Sequence, residues 1–150
     1  MDILRLKKED LTLMRELNQL FGDVFEEPEN YHDHLPDDDY LLSFLGNDNH
    51  IVLVAINDGV VVGGLVAYVL RKFEKKRSEV YVYDLAVVED KRRKGIATKL
   101  FKKLEEVAKG YETWTIFVQA DKGDDDALGF YRALHTQEEV AHHFDLILHK

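Results

Sequence analysis

The segment from Ser78 to Gly110 constrains the fold more than any other part of this chain. Ser78–Val88 is rich in β-branched and aromatic residues and reads as a strand. A charged turn running from Glu89 to Lys94 follows, and Gly95 stands at its end. Ile96, Ala97, Leu100, Phe101, Leu104, Val107 and Ala108 then form one apolar stripe at helical spacing, and Gly110 is expected to close the helix as its C′ residue. A strand, a tight turn and a helix opening on glycine point backbone N–H groups outward at the positive end of the helix dipole, where an anion is favoured. Gly95 lets a ligand approach the backbone, and small Ala97 leaves room beside it. Lys91, Arg92, Arg93 and Lys94 add positive charge, so a diphosphate fits this chemistry. The alternative is a plain helix N-terminus with solvated bases, but bases placed there oppose the dipole. The pattern is neither a P-loop nor a dinucleotide fingerprint: no glycine lies upstream, and no Lys-Ser/Thr pair follows Gly95.

The other elements frame that unit. Asp2–Leu6 reads as a short strand, and Leu13, Leu17, Leu20, Phe21 and Val24 give Asp10–Val24 a helical period. Phe25–Asp39 reads as an acidic loop, after which Asp37 is placed to cap a helix that stops at Gly46. His50–Ile56 and Val60–Leu70 are strands joined by the hairpin signal Asn57-Asp58-Gly59. Trp114–Gln119 is a short strand, Asp124–Asp126 cap a helix reaching about Leu134, and Val140–Leu148 is expected to be a terminal strand. Antiparallel hairpins followed by a βαβ-like unit make a mixed α+β class. At 150 residues the chain is expected to be one domain, residues 1–150.

Charge narrows the partners. The chain has 29 acids and 20 bases, and residues 16–70 hold eleven of those acids with no Lys or Arg. Such a surface repels nucleic acid and anionic membrane, and it suits a cationic ligand or simply solubility. Residues 1–25 lack a basic-then-apolar leader and no apolar run is long enough to span a bilayer, so the cytoplasm is expected. There is no cysteine, which excludes disulfides, thiolate metal sites and an acyl intermediate on a protein thiol. Seven histidines, including His32, His34, His142 and His143, have no cysteine to join them, and no metal is expected. The acids do not follow an EF-hand spacing.

Asp84 interrupts the apolar run from Val80 to Val88. A carboxylate there is costly unless it is paired or bound to something, so it either satisfies a nearby loop or binds a cation. Asp121, Asp124, Asp125 and Asp126 cluster after the strand Trp114–Gln119, and at least one of them is expected to serve only as a helix cap.

Arg92-Arg93-Lys94-Gly95-Ile96-Ala97 resembles the Q/R-x-x-G-x-G/A signature of the GNAT N-acetyltransferases. Further segments resemble the aminoglycoside 3-N-acetyltransferases of the gentamicin type, a branch of that family. They include Phe21-Gly22, Asp37-Asp38-Asp39-Tyr40-Leu41, Ala67-Tyr68-Val69-Leu70, Lys72-Phe73-Glu74, Arg77-Ser78-Glu79 and Tyr83-Asp84-Leu85-Ala86-Val87. The likeness continues in Thr98, Val118-Gln119-Ala120-Asp121, Gly123-Asp124-Asp125 and His143-Phe144-Asp145, and so covers nearly the whole chain.

This resemblance implies the GNAT acyl-CoA fold, a twisted mixed sheet with helices on both faces, splayed between the strands Val80–Val88 and Trp114–Gln119. It implies acetyl-CoA as co-substrate, held by Leu85, Ala86 and Val87 and by Arg92, Arg93, Lys94, Gly95, Ile96, Ala97 and Thr98, with the Val87 amide as oxyanion donor. It implies Asp84 as base and Tyr131 as acid to the leaving thiol, with Glu79, Asp121, Asp124, Asp125 and Asp145 around a polycationic aminoglycoside. A homodimer is left open. A polyamine or protein-lysine acetyltransferase and a non-catalytic CoA-binding module are the alternatives. In this chain Leu134 is followed by His135 where the family has a Leu-Gly step, and a residue is added near His142.

Overall fold

A computed structural model describes residues 1–149; Lys150, the last residue of the expected domain, lies outside them. The chain forms two compact units, Met1–Val118 and a second from Gln119 onward.

The first unit is built on five strands in the order of the chain: β1 (Asp2–Arg5), β2 (His50–Asn57), β3 (Val60–Arg71), β4 (Ser78–Val87) and β5 (Thr113–Val118). Every pairing is antiparallel except β4–β5, which is parallel. The β2–β3 hairpin turns on Asp58 (φ 52°) and Gly59 (φ 76°), the positive dihedrals that a two-residue turn matched to strand twist demands. The helices are α1 (Leu11–Phe25), a single turn α2 (Pro28–Tyr31), α3 (Asp38–Gly46) and α4 (Ile96–Ala108). The turn α2 lies within the stretch that reads as an acidic loop. Pro28 at its first position supplies a helical φ without losing a needed N–H.

Strand pleat divides the core. One sheet face, with Val52, Val54, Val66 and Ala86, packs against Leu17, Leu20 and Phe21 of α1 and Leu41 and Leu45 of α3. The other lies under α4, because a Cβ on Gly63 would meet Ile96, whereas a Cβ on neighbouring Gly64 would meet Leu17. Helices therefore cover both faces, as expected. Asp37 caps α3 by accepting from Tyr40 N–H at 2.9 Å. The end of α4 departs from expectation: Gly110 sits in a 3-10 turn, Lys109–Tyr111, and Glu112 takes the left-handed conformation (φ 55°).

The second unit contains α5 (Asp125–Ala133), capped by Asp124, whose carboxylate accepts Ala127 N–H at 3.2 Å. The strand expected over Val140–Leu148 does not form. Those residues have no strand conformation, and Val140, Phe144 and Leu146 are 92%, 89% and 84% exposed. Strand propensity alone does not make a strand, since a strand needs a neighbour to accept its backbone hydrogen bonds.

Candidate active site

Asp84 reaches its position through a bulge. Along β3 and β4 the register passes from Val66↔Asp84 directly to Ala67↔Val82, so Tyr83 is an extra residue in β4. Simple alternation would place Asp84 with Val80 and Val82, on the α4 face. One inserted residue flips every later side chain, and Asp84 emerges on the α1 face in line with Val66. Bulges recur where a sheet re-aims a functional side chain.

The Tyr31 hydroxyl meets Asp84 there, 3.2 Å from each carboxylate oxygen. The Tyr31 ring is held by Phe21 and Phe25, with centroids 5.9 and 5.8 Å away. Behind this contact, the His32 ring fills the space above Gly22, where a Cβ would strike it. His32 Nε2 also lies 3.1 Å from the Gln19 carbonyl. The turn α2 is thus tied to α1, and it delivers Tyr31 to the sheet.

Burial pushes the Asp84 carboxyl above the usual carboxylate range; the Tyr31 hydrogen bond opposes that shift, and the Glu27 carboxylate adds to it. Tyr31 moves up in turn, through burial and then the charge of Asp84, and stays protonated as a donor. Tyr68 and Tyr81 are raised by burial and by charged neighbours that include Asp84. Tyr68 meets Tyr83 edge-on at 6.0 Å, and Tyr81 meets Tyr83 at 5.7 Å. Among the described residues no cationic side chain pairs with Asp84, which stands among tyrosines, and a carboxylate beside aromatic rings suits an ammonium group.

β4 also exposes backbone. Its parallel pairing with β5 ends at Val82↔Val118, while β4 runs on to Val87. Val88 N–H bonds the Val62 carbonyl across β3. By strand alternation the Leu85 and Val87 N–H groups point the other way, to the open edge. β4 thus runs five residues past its last partner in β5, where the family resemblance implies a splay.

Beyond β4 a 3-10 turn, Glu89–Lys91, leads to Arg93 (φ 62°) and Gly95 (φ 80°). Nothing lies within 4 Å of the Cβ position at Gly95, so its approach is open. The first bond of α4 runs from Lys99 N–H to the Gly95 carbonyl, which leaves the Ile96, Ala97 and Thr98 amides without an intrahelical partner. Arg92 is turned inward, donating from Nε to the Val87 carbonyl at 3.0 Å, and so braces the turn against β4. Left-handed backbone, free amides and open space fit the diphosphate of acetyl-CoA.

The remaining expected residues scatter. Glu79 is held by Lys72 at 3.0 Å on its own hairpin. In the second unit Asp124 is the α5 cap, Asp121 and Asp125 are exposed, and Asp145 pairs with His143 at 2.7 Å. Tyr131 lies in α5, and its hydroxyl pKa is pushed up to about 12 by burial and then by Asp124. Among the described residues no cluster of His, Cys, Asp or Glu could hold a metal, and no helix is long and apolar enough to cross a membrane. The site residues that sequence reasoning missed are Tyr31 and Glu27. Tyr31 is 53 positions from Asp84, and no periodicity links them.

Residues 13–135 match the model of the acetyltransferase (GNAT) family. The chain belongs to the GNAT acetyltransferase family. GNAT acetyltransferases use acetyl-CoA. A solved aminoglycoside acetyltransferase from an uncultured soil metagenomic sample is 41% identical, covering 99% of this chain and 98% of its own, with TM-score 0.94. A second such enzyme, also from an uncultured soil metagenomic sample and in complex with sisomicin, is 35% identical over 97% of this chain and 95% of its own, TM-score 0.88. AAC(6')-Iy in complex with the bisubstrate analogue CoA-S-monomethyl-acetylneamine shares the GNAT fold at 19% identity, with 97% and 98% coverage and TM-score 0.74. Curated proteins give no match.

Proposed function

We propose that this GNAT acetyltransferase acetylates aminoglycosides, at the 3-amino group of the deoxystreptamine ring, and confers resistance to antibiotics of the gentamicin type. The observation that carries the reading is Asp84, which a bulge turns onto the face lined by tyrosines and which has no cationic partner among the described residues. The likeness to aminoglycoside acetyltransferases supports the acceptor class. The family match spans the boundary between the two compact units, which supports one catalytic domain across the chain. We place this enzyme in the cytoplasm.

Acetyl-CoA supplies an acetyl thioester whose acyl group passes to the acceptor amine as the thiol is released. Asp84 binds the acceptor ammonium and takes one of its protons, freeing the nitrogen lone pair; that proton leaves to solvent. The raised pKa of Asp84 makes it a better base than an ordinary aspartate. The Val87 amide, on the open edge of β4, donates to the thioester oxygen as charge develops. Tyr131, with its pKa pushed up to about 12, is protonated at rest, acts as the acid that gives its proton to the departing thiolate, and is restored by the amine's second proton. The turn Arg92–Thr98 holds the diphosphate. Asp121, Asp124, Asp125, Asp145 and Glu79 are assigned to the acceptor side, Asp124, Asp145 and Glu79 only after release from their present partners.

Thiol release from acetyl-CoA across gentamicin, kanamycin, spermidine and a lysine peptide tests the reading, with NMR of the product locating the new amide. Turnover of gentamicin with acetylation at the 3-amino group is expected. Turnover of spermidine or the peptide alone refutes it, and tight CoA binding without turnover identifies a non-catalytic module. Asp84→Asn should lower kcat at least ~100-fold, the scale of a lost acid or base.

A further inference from the structure

The last peptide of β4 is pinned at both ends, although β5 no longer runs beside it. The ladder with β5 stops at Val82↔Val118, so among the described residues Leu85, Ala86 and Val87 have a strand on the β3 side alone. The N–H of the peptide between Val87 and Val88 points to β3 and donates to the Val62 carbonyl at 2.9 Å. The C=O of the same peptide points the opposite way, as a trans peptide requires, and accepts from Arg92 Nε at 3.0 Å. At the open edge a side chain thus satisfies a carbonyl that a neighbouring strand would otherwise satisfy.

Local backbone puts Arg92 there. Its N–H bonds the Glu89 carbonyl at 3.3 Å as the 3-10 turn ends, and its own conformation is extended (φ −70°, ψ 160°). The chain then passes through Arg93 and Gly95 into α4. Arg92 therefore links the edge of β4 to the turn whose free amides suit a diphosphate.

The family resemblance groups Arg92 with the acetyl-CoA ligands, but its side chain faces the other way. The donor is Nε, the inner nitrogen of the guanidinium, and its partner is backbone. Arg93 and Lys94 beside it are exposed and carry the same charge, so an anion at the turn does not depend on Arg92. Glutamine bears its amide nitrogen on Cδ, the carbon that bears Nε in arginine. A need for one N–H at that reach admits either residue, as the Q/R position of the signature does, whereas a need for charge would admit arginine or lysine.

We propose that Arg92 is a positioning residue: it fixes the Val87–Val88 peptide and so aims the adjoining Val87 N–H into the open edge, and its guanidinium is not a ligand of the diphosphate. The proposal rests on the reading of the Val87 amide as oxyanion donor, since such a donor is effective only when it is held in place before charge develops.

Two variants of the full-length protein separate donor from charge. Arg92→Gln keeps an N–H on Cδ without the charge, and Arg92→Met keeps an unbranched stem without the donor. In 15N-labelled protein the Val87 amide should show an order parameter of ~0.85 in the parent and in Arg92→Gln, and should fall toward ~0.6 in Arg92→Met. The Kd of CoA, measured by calorimetry, should be unchanged in both. With gentamicin as acceptor, Arg92→Met should lower kcat about 10-fold at unchanged KM for acetyl-CoA, and Arg92→Gln should restore most of the rate. S-acetylpantetheine, a donor without the diphosphate, should lose kcat/KM by the same factor in Arg92→Met. A CoA Kd raised alike in both variants, with the S-acetylpantetheine rate intact, makes Arg92 a diphosphate ligand and overturns the proposal. A Val87 amide that stays rigid in Arg92→Met overturns it as well, and so does a mobile one with kcat unchanged. If the parent acetylates no amine, the proposed function fails separately, and the order parameter and the CoA Kd still decide whether Arg92 holds the strand edge or the diphosphate.

Discussion

Asp84 and Tyr31 show how one residue's chemistry depends on another far along the chain. Tyr31 donates to both oxygens of the carboxylate and so favours its ionised form against burial and Glu27. Tyr31→Phe keeps the ring among Phe21 and Phe25 but removes the donor, so the Asp84 pKa should rise further. The acid limb of kcat/KM against pH then shifts to higher pH, and the rate recovers toward that of the parent once pH exceeds the new pKa. A purely structural role for Tyr31 would lower the rate at every pH without moving the limb. Linkage adds a second consequence. The folded-state pKa of Asp84 lies above its unfolded value, so its contribution favours folding below the unfolded pKa and is lost as pH rises through the folded one. Asp84→Asn should therefore raise Tm at neutral pH, an effect that fades in acid, while it abolishes most activity. The carboxylate in an apolar strand was legible in the sequence. Its partner was not, because the bulge at Tyr83 and the turn Pro28–Tyr31 follow from tertiary packing.

Helices and hairpins were legible where periodicity or turn chemistry is local: α1, α3, α4, α5 and the Asp58-Gly59 turn lie within a residue or two of expectation. Elements that depend on a distant neighbour were misread. Val140–Leu148 has the composition of a strand and no strand conformation, and Gly110 yields the left-handed position to Glu112 because a 3-10 turn extends α4. The end of α5 carries a local cost: His135 adopts φ 60°, a conformation that glycine tolerates and other residues pay about 1–2 kcal/mol to hold. The side chain is exposed, so His135→Gly should stabilise the protein by about 1 kcal/mol, read as a higher midpoint in urea with unchanged m-value. Gly22 behaves in the opposite way. Alanine favours a helix interior by ~1 kcal/mol over glycine, but here its methyl would strike the His32 ring. Overpacking of that kind costs ~1–3 kcal/mol, so displacement should win. Gly22→Ala should loosen the turn α2, withdraw Tyr31 from Asp84, and shift the pH profile in the direction of Tyr31→Phe.

Charge belongs to the whole molecule, and structure divides the base-free stretch 16–70 into separate roles. Asp37 caps a helix, Asp38 pairs with Arg15 at 2.6 Å, and Asp23 lies 3.5 Å from His32. Those three carboxylates are engaged within the protein. Glu27 differs, because its charge acts on both Asp84 and Tyr31 and so reaches the proposed ammonium site. Under the proposed function, an acidic composition becomes a short-range acceptor field centred on Asp84, with the basic turn Lys91–Lys94 kept for the anionic co-substrate. The field is testable because exposed charges are screened by salt and buried ones much less. KM for a polycationic aminoglycoside should rise with ionic strength more steeply than KM for a monoamine. An exposed ion pair is worth ~0.2–1 kcal/mol, so Glu27→Gln should raise the aminoglycoside KM roughly 1.4- to 5-fold at low salt. Its kcat should change little, since the reacting nitrogen is held by Asp84, and the KM penalty should shrink toward unity in 0.5 M salt. A KM insensitive to both salt and Glu27 would mean that Asp84 recognises the acceptor alone and that the remaining acids only keep the surface hydrated.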